Sequence, residues 1–200
     1  PMEVMQKTLQ VIRKADPEFK VSLAGNFHKE LEADIYDYCI PIGASYPKEV
    51  LARRAQKQLP TTYYTCCTEA FPNTFTFSDP AEAAWMSYYS AKDHLDGYLR
   101  WAYNSWPKEP LLDSRFEAWA GGDTYLVYPG ARSSIRFEKL IEGVQAHEKI
   151  TILRKEFTDK KNKNGFKKLE KMLSTFKLKD FPEVPAAETV NKANKILNSL

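Results

Sequence analysis

Extended and helical segments alternate along this chain, and that alternation limits the folds it can adopt. Tracts rich in Thr, Tyr and aliphatic residues favour strands, and amphipathic or capped tracts between them favour helices. We predict four strands, over residues 20–25, 34–42, 61–67 and 97–106. Strands that alternate with helices pair in parallel, in sequential order and with right-handed crossovers.

The helices of this alternation carry recognisable start and stop signals. Met5, Leu9 and Ile12 recur at helical spacing, and Pro17 ends that helix. Asp79 and Pro80 open a later helix, because an acidic N-cap followed by proline suits a first turn. We also predict a short helical piece over 27–31, a helix opened at residue 47 and a long helix from about residue 134.

Four strand–helix units are half of a complete β/α barrel, which takes about 250 residues. The predicted fold class is therefore α/β, the C-terminal half of a TIM-type (β/α)8 barrel with a C-terminal helical extension. Residues 1–157 would form the half-barrel, and residues 158–200 a helical tail packed on it. Since half a barrel exposes two strand edges, we expect the upstream half of the same barrel as a partner. A small open sheet of the flavodoxin type stays the alternative, although no Gly-rich phosphate loop follows its first strand.

Composition points to a globular chain without a nucleic-acid or membrane partner. Hydrophobic residues make up 43% and charged residues 28%, and the net charge is only +3. The basic excess lies between Arg154 and Lys179, interleaved with Phe, which is typical of a solvated face of terminal helices. The longest apolar runs are shorter than the roughly 20 residues of a membrane helix.

No residue pattern indicates a metal or another cofactor. Cysteine and histidine are few, and none of them has the spacing of a zinc site. They are Cys39, Cys66, Cys67, His28, His94 and His147. We predict that the cysteines are small buried residues and that the site needs no cofactor.

Parity along the fourth strand separates two faces. Leu99, Trp101 and Tyr103 would face the helix layer, and Arg100 would point into the barrel with Asn104 and Trp106 near its mouth. A buried guanidinium needs an acid, and we expect Asp37 of the second strand to supply it, chiefly for structure.

Flat aromatic side chains and planar amides or carboxylates collect at the predicted strand ends and the following loops. Such residues suit sugars, whose C–H faces stack on rings and whose hydroxyl pairs bind amides and carboxylates. Asn26 ends the first strand, Tyr64 is late in the third, and Trp106 lies before Pro107 at the mouth. The predicted substrate-binding wall is Asn26, Tyr64, Asn104, Trp106, Asp123 and Tyr128. Core packing or loop anchoring is the competing interpretation, above all for Asp123 and Tyr128.

Three stretches carry a family resemblance. Gly97-Tyr-Leu-Arg-Trp-Ala-Tyr-Asn-Ser-Trp106, the run from Ala120 to Gly130, and Ser134-Ile-Arg-Phe-Glu138 resemble the C-terminal part of the glycoside hydrolase family 123 catalytic domain. The same pattern marks a bacterial domain of unknown function. The likeness extends over about residues 1–150, and Asp123 and Tyr128 enter the predicted wall mainly through it. One departure follows, because the family tends to have Arg-Glu-Gly and then acids where this chain has Ile141-Glu-Gly-Val-Gln-Ala-His147.

The resemblance implies an N-acetyl-β-galactosaminidase that uses substrate assistance. In that chemistry an adjacent Asp-Glu pair follows the fourth barrel strand: the Glu protonates the departing oxygen and the Asp orients the 2-acetamido group, whose oxygen attacks the anomeric carbon. This chain has no adjacent Asp-Glu, and its first residue is not Met. Because the family motif continues with Pro, we interpret Pro1 as the residue after that pair, so that no catalytic residue lies in this chain. The family also implies a periplasmic or secreted protein.

Two functions from different classes follow. The chain is a segment of a hexosaminidase acting on a glycan or amino sugar, inactive by itself, or it is a noncatalytic carbohydrate-binding or scaffold protein that retains the barrel wall. If the chain hydrolysed such sugars alone, the acid would have to lie within it, and Glu69 would be the candidate.

Overall fold

The computed structural model describes residues 2–181 and 183–200. Pro1, which we place after the acid pair, lies outside the described residues. The strands are β1 (Ser22–Ala24), β2 (Asp37–Pro41), β3 (Thr61–Thr65) and β4 (Gly97–Arg100). The helices are α1 (Met2–Ala15), α2 (Lys48–Gln56), α3 (Ala81–Lys92), α4 (Ile135–Asp159), α5 (Lys163–Leu173) and α6 (Ala186–Leu197). The chain forms two compact units, one up to Tyr64 and one from Thr65 onward.

The first unit contains parallel strands in sequential order. β1 pairs with β2, and β2 pairs with β3, so that Cys39 lies opposite both Ala24 and Thr62. Arg54 of α2 is fully buried and donates to the carbonyls of Tyr36 and Pro60, each at 2.7 Å, directly before β2 and β3. That guanidinium therefore fixes the start of both strands.

One predicted helix in this unit is wrong. Residues 27–31 are not helical, and a 3₁₀ turn covers Glu32–Asp34 instead. The hydroxyl of Tyr38 accepts from the amide of His28 at 2.9 Å and donates to the carbonyl of Asn26 at 3.1 Å. The Tyr38 hydroxyl therefore holds the main chain on both sides of Phe27 in a non-helical turn.

In the second unit, α3 is the central element. Every residue from Ala81 to Ala91 is buried, and α4, α5, α6 and β4 all pack on this helix. Small residues let the helices approach closely: a Cβ added at Gly143 of α4 would lie 2.8 Å from the Cα of Ala84. The long helix α4 begins where predicted, since the Ser134 hydroxyl accepts from the amide of Phe137 at 3.1 Å.

Helices α5 and α6 complete the packing around α3. Phe176, which follows α5, stacks on Tyr88 with ring centroids 4.7 Å apart. The Tyr88 hydroxyl donates to the side chain of Asn194 in α6 at 2.5 Å. The helical tail is thus joined to the second unit, while the predicted boundary at residues 157/158 stays a prediction.

The fourth predicted strand is too long. β4 ends at Arg100. The chain beyond it pairs with residues 124–128, here called the returning segment, through an antiparallel bridge between Asn104 and Tyr125. Leu126 donates its amide to the carbonyl of Tyr103 at 2.8 Å. Because strand parity does not extend beyond Arg100, the predicted placement of Trp101 on the helix layer is wrong; its side chain is 44% exposed.

The structure is an α/β fold with a parallel sheet and covering helices. The half-barrel stays a prediction. Among the described residues, no helix is long and apolar enough to cross a bilayer, and no three His, Cys, Asp or Glu side chains are grouped as metal ligands would be.

Candidate functional site

A buried ion pair lies beneath the loops that follow β4. Arg100 Nη2 is 2.6 Å from Asp123 Oδ1, and it also donates to the main-chain carbonyl of Asp123. The two side chains are 5% and 0% exposed. The predicted partner, Asp37, is wrong: its carboxylate accepts from the hydroxyls of Thr62 at 2.9 Å and Ser22 at 3.3 Å. The acid comes from the loop that returns after β4, which strand order alone does not disclose.

Asn73 joins this ion pair to the end of β3. Its Oδ1 accepts from Arg100 Nη1 at 2.9 Å, and its Nδ2 donates to the carbonyls of Cys66 and Glu69, both at 2.7 Å. The Glu69 carboxylate accepts from the amide of Cys66 at 2.6 Å. One asparagine side chain therefore fixes both the turn after β3 and the guanidinium at the end of β4.

The same asparagine binds a buried acid at the start of α3. Glu82 is 3% exposed and accepts from the amide of Asn73 at 2.7 Å and from the amide of Asp79 at 3.1 Å. The predicted helix start is confirmed, since Asp79 also accepts from the amide of Ala81 at 2.9 Å. Burial raises the pKa of Glu82 to about 6, against the lowering effect of its two amide donors.

A second buried arginine holds the loop that leads to Asp123. Arg136 Nη1 donates to the carbonyls of Thr74 at 2.5 Å and Gly122 at 2.8 Å. Burial lowers the pKa of this guanidinium. Gly122 has φ +76°, and a Cβ there would lie 2.6 Å from Arg136 Nη1. Only glycine allows this close approach.

Three exposed indoles are carried by the loops that follow β4. Trp101, Trp106 and Trp119 are 44%, 37% and 39% exposed. Two of the three have a fixed polar edge: Trp101 Nε1 donates to Asp123 Oδ1 at 3.3 Å, and Trp106 Nε1 donates to the carbonyl of Val127 at 2.7 Å. The rings of Trp101 and Trp119 are 5.4 Å apart at an angle of 46°. This arrangement presents oriented aromatic faces to solvent, as a ligand with flat apolar faces requires.

Three of the predicted wall residues lie together along the returning segment. Asn104 is exposed and bridges Tyr125, Trp106 is bonded to Val127, and the ring of Tyr128 is 5.2 Å from that of Tyr125. Asp123 precedes this segment, but its side chain is buried against Arg100 rather than exposed.

Asn26 and Tyr64 belong to the first unit. Asn26 is exposed just after β1, and Tyr64 is half-buried in β3, opposite Pro41. That these two residues converge with the other four stays a prediction.

The sequence did not predict that Asn73 and Arg136 belong to the buried network or that Trp101 is exposed beside it. A pair of glycines before an acid, Gly121-Gly122-Asp123, is a signal of close backbone approach and could have suggested the second arginine. Nothing around Asn73 distinguishes it from an ordinary loop residue.

Two comparisons with known proteins bear on this arrangement. The sequence model described as "Glycoside hydrolase 123, catalytic domain" matches residues 1–153. The chain belongs to glycoside hydrolase family 123. No curated protein matches the chain.

A solved family 123 structure shares the fold. It is a family 123 glycoside hydrolase from Clostridium perfringens, whose structural analysis addressed glycolipid glycan hydrolysis. The sequences are 25% identical, the TM-score is 0.70, and the match covers 90% of this chain. It covers 35% of the Clostridium enzyme, so the chain spans about a third of that family 123 protein. Residues 1–153, which the family model matches, contain the ion pair, the three exposed indoles and the whole returning segment.

Proposed function

We propose that this chain is the C-terminal part of a glycosidase that removes terminal N-acetyl-β-hexosaminides, in the first place N-acetyl-β-galactosamine, from glycans. Family membership over residues 1–153 is the observation that carries the proposal. The glycan-hydrolysing activity of the similar Clostridium enzyme and the oriented indoles support it.

In the proposed mechanism, the chain binds and orients the sugar. Trp106 offers its face to the ring, and Asn104 and Tyr128 supply hydrogen-bonding groups along the returning segment, with Asn26 and Tyr64 contributed by the first unit. Asp123 supports this wall from beneath by binding Arg100 and Trp101. The acetamido oxygen of the substrate attacks the anomeric carbon, and the acid that protonates the leaving oxygen belongs to an Asp-Glu pair upstream of Pro1.

The proposal includes the rest of a barrel. An upstream half with four further strands would pair with the exposed strand edges and carry the acid pair at the carboxyl ends of its strands. The periplasm or the extracellular space is the proposed location, where glycans are accessible.

The test is hydrolysis of a methyl N-acetyl-β-galactosaminide by the protein that contains this chain. We expect release of N-acetylgalactosamine with retained anomeric configuration, as a substrate-assisted reaction gives. Absence of hydrolysis with retained sugar binding, together with no acidic pair before Pro1, would instead establish the noncatalytic carbohydrate-binding protein.

A further inference from the structure

Trp101 and Trp119 form an aromatic surface that the predicted wall does not include. Single exposed aromatic residues are common on proteins and need no explanation. These two indoles, however, lie in contact, 5.4 Å between ring centroids, and both are more than a third exposed. Their combined surface is apolar. The segments that carry the two indoles are each held by hydrogen bonds to the rest of the second unit.

The orientation of Trp101 depends on the buried ion pair. Asp123 Oδ1 accepts both from Arg100 Nη2 at 2.6 Å and from Trp101 Nε1 at 3.3 Å. Burying such an ion pair is costly, and apolar residues of similar volume in its place would stabilise the fold at least equally. Among the described residues, Asp123 Oδ2 and Arg100 Nε have no hydrogen-bond partner, which adds to that cost. An expensive buried pair that fixes an exposed indole indicates a role for the indole in binding.

The main chain that carries Trp119 is fixed by the loop that leads to Asp123. The amide of Trp119 donates to the carbonyl of Phe116 at 3.0 Å, and three residues later the amide of Gly122 donates to the carbonyl of Ser114 at 2.8 Å. The carbonyl of Gly121 accepts from the amide of Thr76 at 2.8 Å. The loop carrying Trp119 is therefore closed on itself and pinned to the segment before α3. The Trp101 indole and the main chain that carries Trp119 are therefore set before any ligand arrives, which lowers the entropic cost of binding.

Trp101 and Trp106 are anchored at different points. Trp101 is bonded to Asp123, and Trp106 to Val127, four residues farther along the chain. The two indoles are therefore held by different acceptors, one a buried carboxylate and the other a main-chain carbonyl.

We propose that Trp101 and Trp119 form a second sugar subsite, which stacks against the pyranose ring next to the terminal N-acetyl-β-hexosamine of an oligosaccharide. This inference rests on the proposed function, because it takes Trp106 to contact the terminal sugar. It assigns a binding role to Trp101 and Trp119 and a positioning role to Asp123.

The experiment compares a short and a long ligand. The probes are the methyl thioglycoside of N-acetyl-β-galactosamine and an S-linked, hydrolysis-resistant trisaccharide with the same terminal sugar. Dissociation constants are measured by calorimetry with the protein that contains this chain. We expect Trp101→Ala and Trp119→Ala each to weaken trisaccharide binding about 3- to 10-fold and to leave binding of the thioglycoside within about twofold. Trp101→Phe, which keeps a ring but loses the N–H donor, should fall between wild type and Trp101→Ala.

Controls separate the subsite from general effects. Trp106→Ala should weaken binding of both probes, and Phe19→Ala, which removes an aromatic side chain that is 55% exposed in the first unit, should change neither. Because the Trp101 variants lose a bond to the buried Asp123, binding is compared at a temperature at which the melting curve of every variant shows it to be folded. Equal losses on both probes, unchanged affinity for both, or a wild type that binds neither would each overturn the second subsite. Failure of the proposed function has a different signature, a wild type that binds both probes yet does not hydrolyse the O-linked trisaccharide.

Discussion

Arg100 binds Asp123 twice, through the carboxylate and through the main-chain carbonyl. The double contact joins the last residue of β4 to a loop residue that follows 23 positions later. Because the same carboxylate also accepts from Trp101, a structural ion pair and an exposed indole share one oxygen atom. Stability and the shape of the surface are therefore linked at a single residue.

We predict that Asp123→Asn destabilises the protein by about 3–5 kcal/mol, since it leaves the Arg100 charge buried without a counterion. Urea unfolding at neutral pH measures the change. Asp159→Asn removes an acid from the exposed pair of Lys155 with Asp159 and should leave the unfolding curve nearly unchanged. Similar curves for the two variants would contradict a structural role for the buried pair.

Two glycines with left-handed backbone conformations provide a matched comparison. Gly122 and Gly130 have φ +76° and +74°, but a Cβ at Gly122 would meet Arg136 Nη1 at 2.6 Å whereas a Cβ at Gly130 meets nothing within 4 Å. Gly130→Ala should cost about 1–2 kcal/mol from backbone strain alone. Gly122→Ala should cost clearly more, and thermal unfolding would show it. Equal costs would mean that the guanidinium moves aside freely.

The stability of the protein should respond to titration of Glu82. The folded-state pKa of about 6 lies above the ordinary value of 4.5, so the folded state binds the proton more tightly. The resulting stabilisation is complete below pH 4.5 and is lost as the pH rises through 6, by about 2 kcal/mol in total. Unfolding free energies of wild type and Glu82→Gln, compared from pH 4.5 to 7.5, should differ by that pH-dependent amount. Parallel profiles would exclude Glu82 as the titrating group.

Trp106→Ala should weaken binding of an acetamido-sugar inhibitor about tenfold while leaving the melting curve unchanged. The indole is 37% exposed, so its loss removes a stacking face from the surface rather than a side chain from the core. Calorimetry with the protein that contains this chain measures the affinity. Unchanged affinity would remove Trp106 from the sugar site.

The 200-residue chain by itself should not hydrolyse an aryl N-acetyl-β-hexosaminide. In the proposed mechanism both the general acid and the orienting Asp lie upstream of this chain, and loss of a general acid alone costs about 10²–10⁴-fold. Release of the aryl group is followed by absorbance. Turnover by the chain that disappears in Glu69→Gln would instead locate the acid on the turn after β3.

Local sequence signals predicted the elements well. The Thr- and Tyr-rich run became β3, the Ser134 cap starts α4, and the Asp79 and Glu82 side chains start α3 as their spacing indicates. These signals depend on neighbouring residues, which is why sequence alone discloses them.

The errors come from long-range contacts. The sequence predicted Asp37 of β2 as the partner of Arg100, but the loop after β4 brings Asp123 to it. The same loop ends the regular strand and exposes Trp101. A returning loop without regular secondary structure has no periodicity, so its path could not be read from the spacing of residues. Spacing along the strands supplied four residues of the predicted wall, and the family resemblance supplied Asp123 and Tyr128. That all six form one sugar-binding wall stays a prediction.

The folding unit around α3 extends beyond the region that is homologous to family 123, because α6 also packs against α3. The family match ends at residue 153, yet Phe176 stacks on Tyr88, and Asn194 accepts from its hydroxyl. A gene fragment cut at the end of the homology would therefore uncover the core helix and yield an aggregating product. Expression boundaries for this protein should follow the helices that enclose α3, and not the limit of sequence similarity.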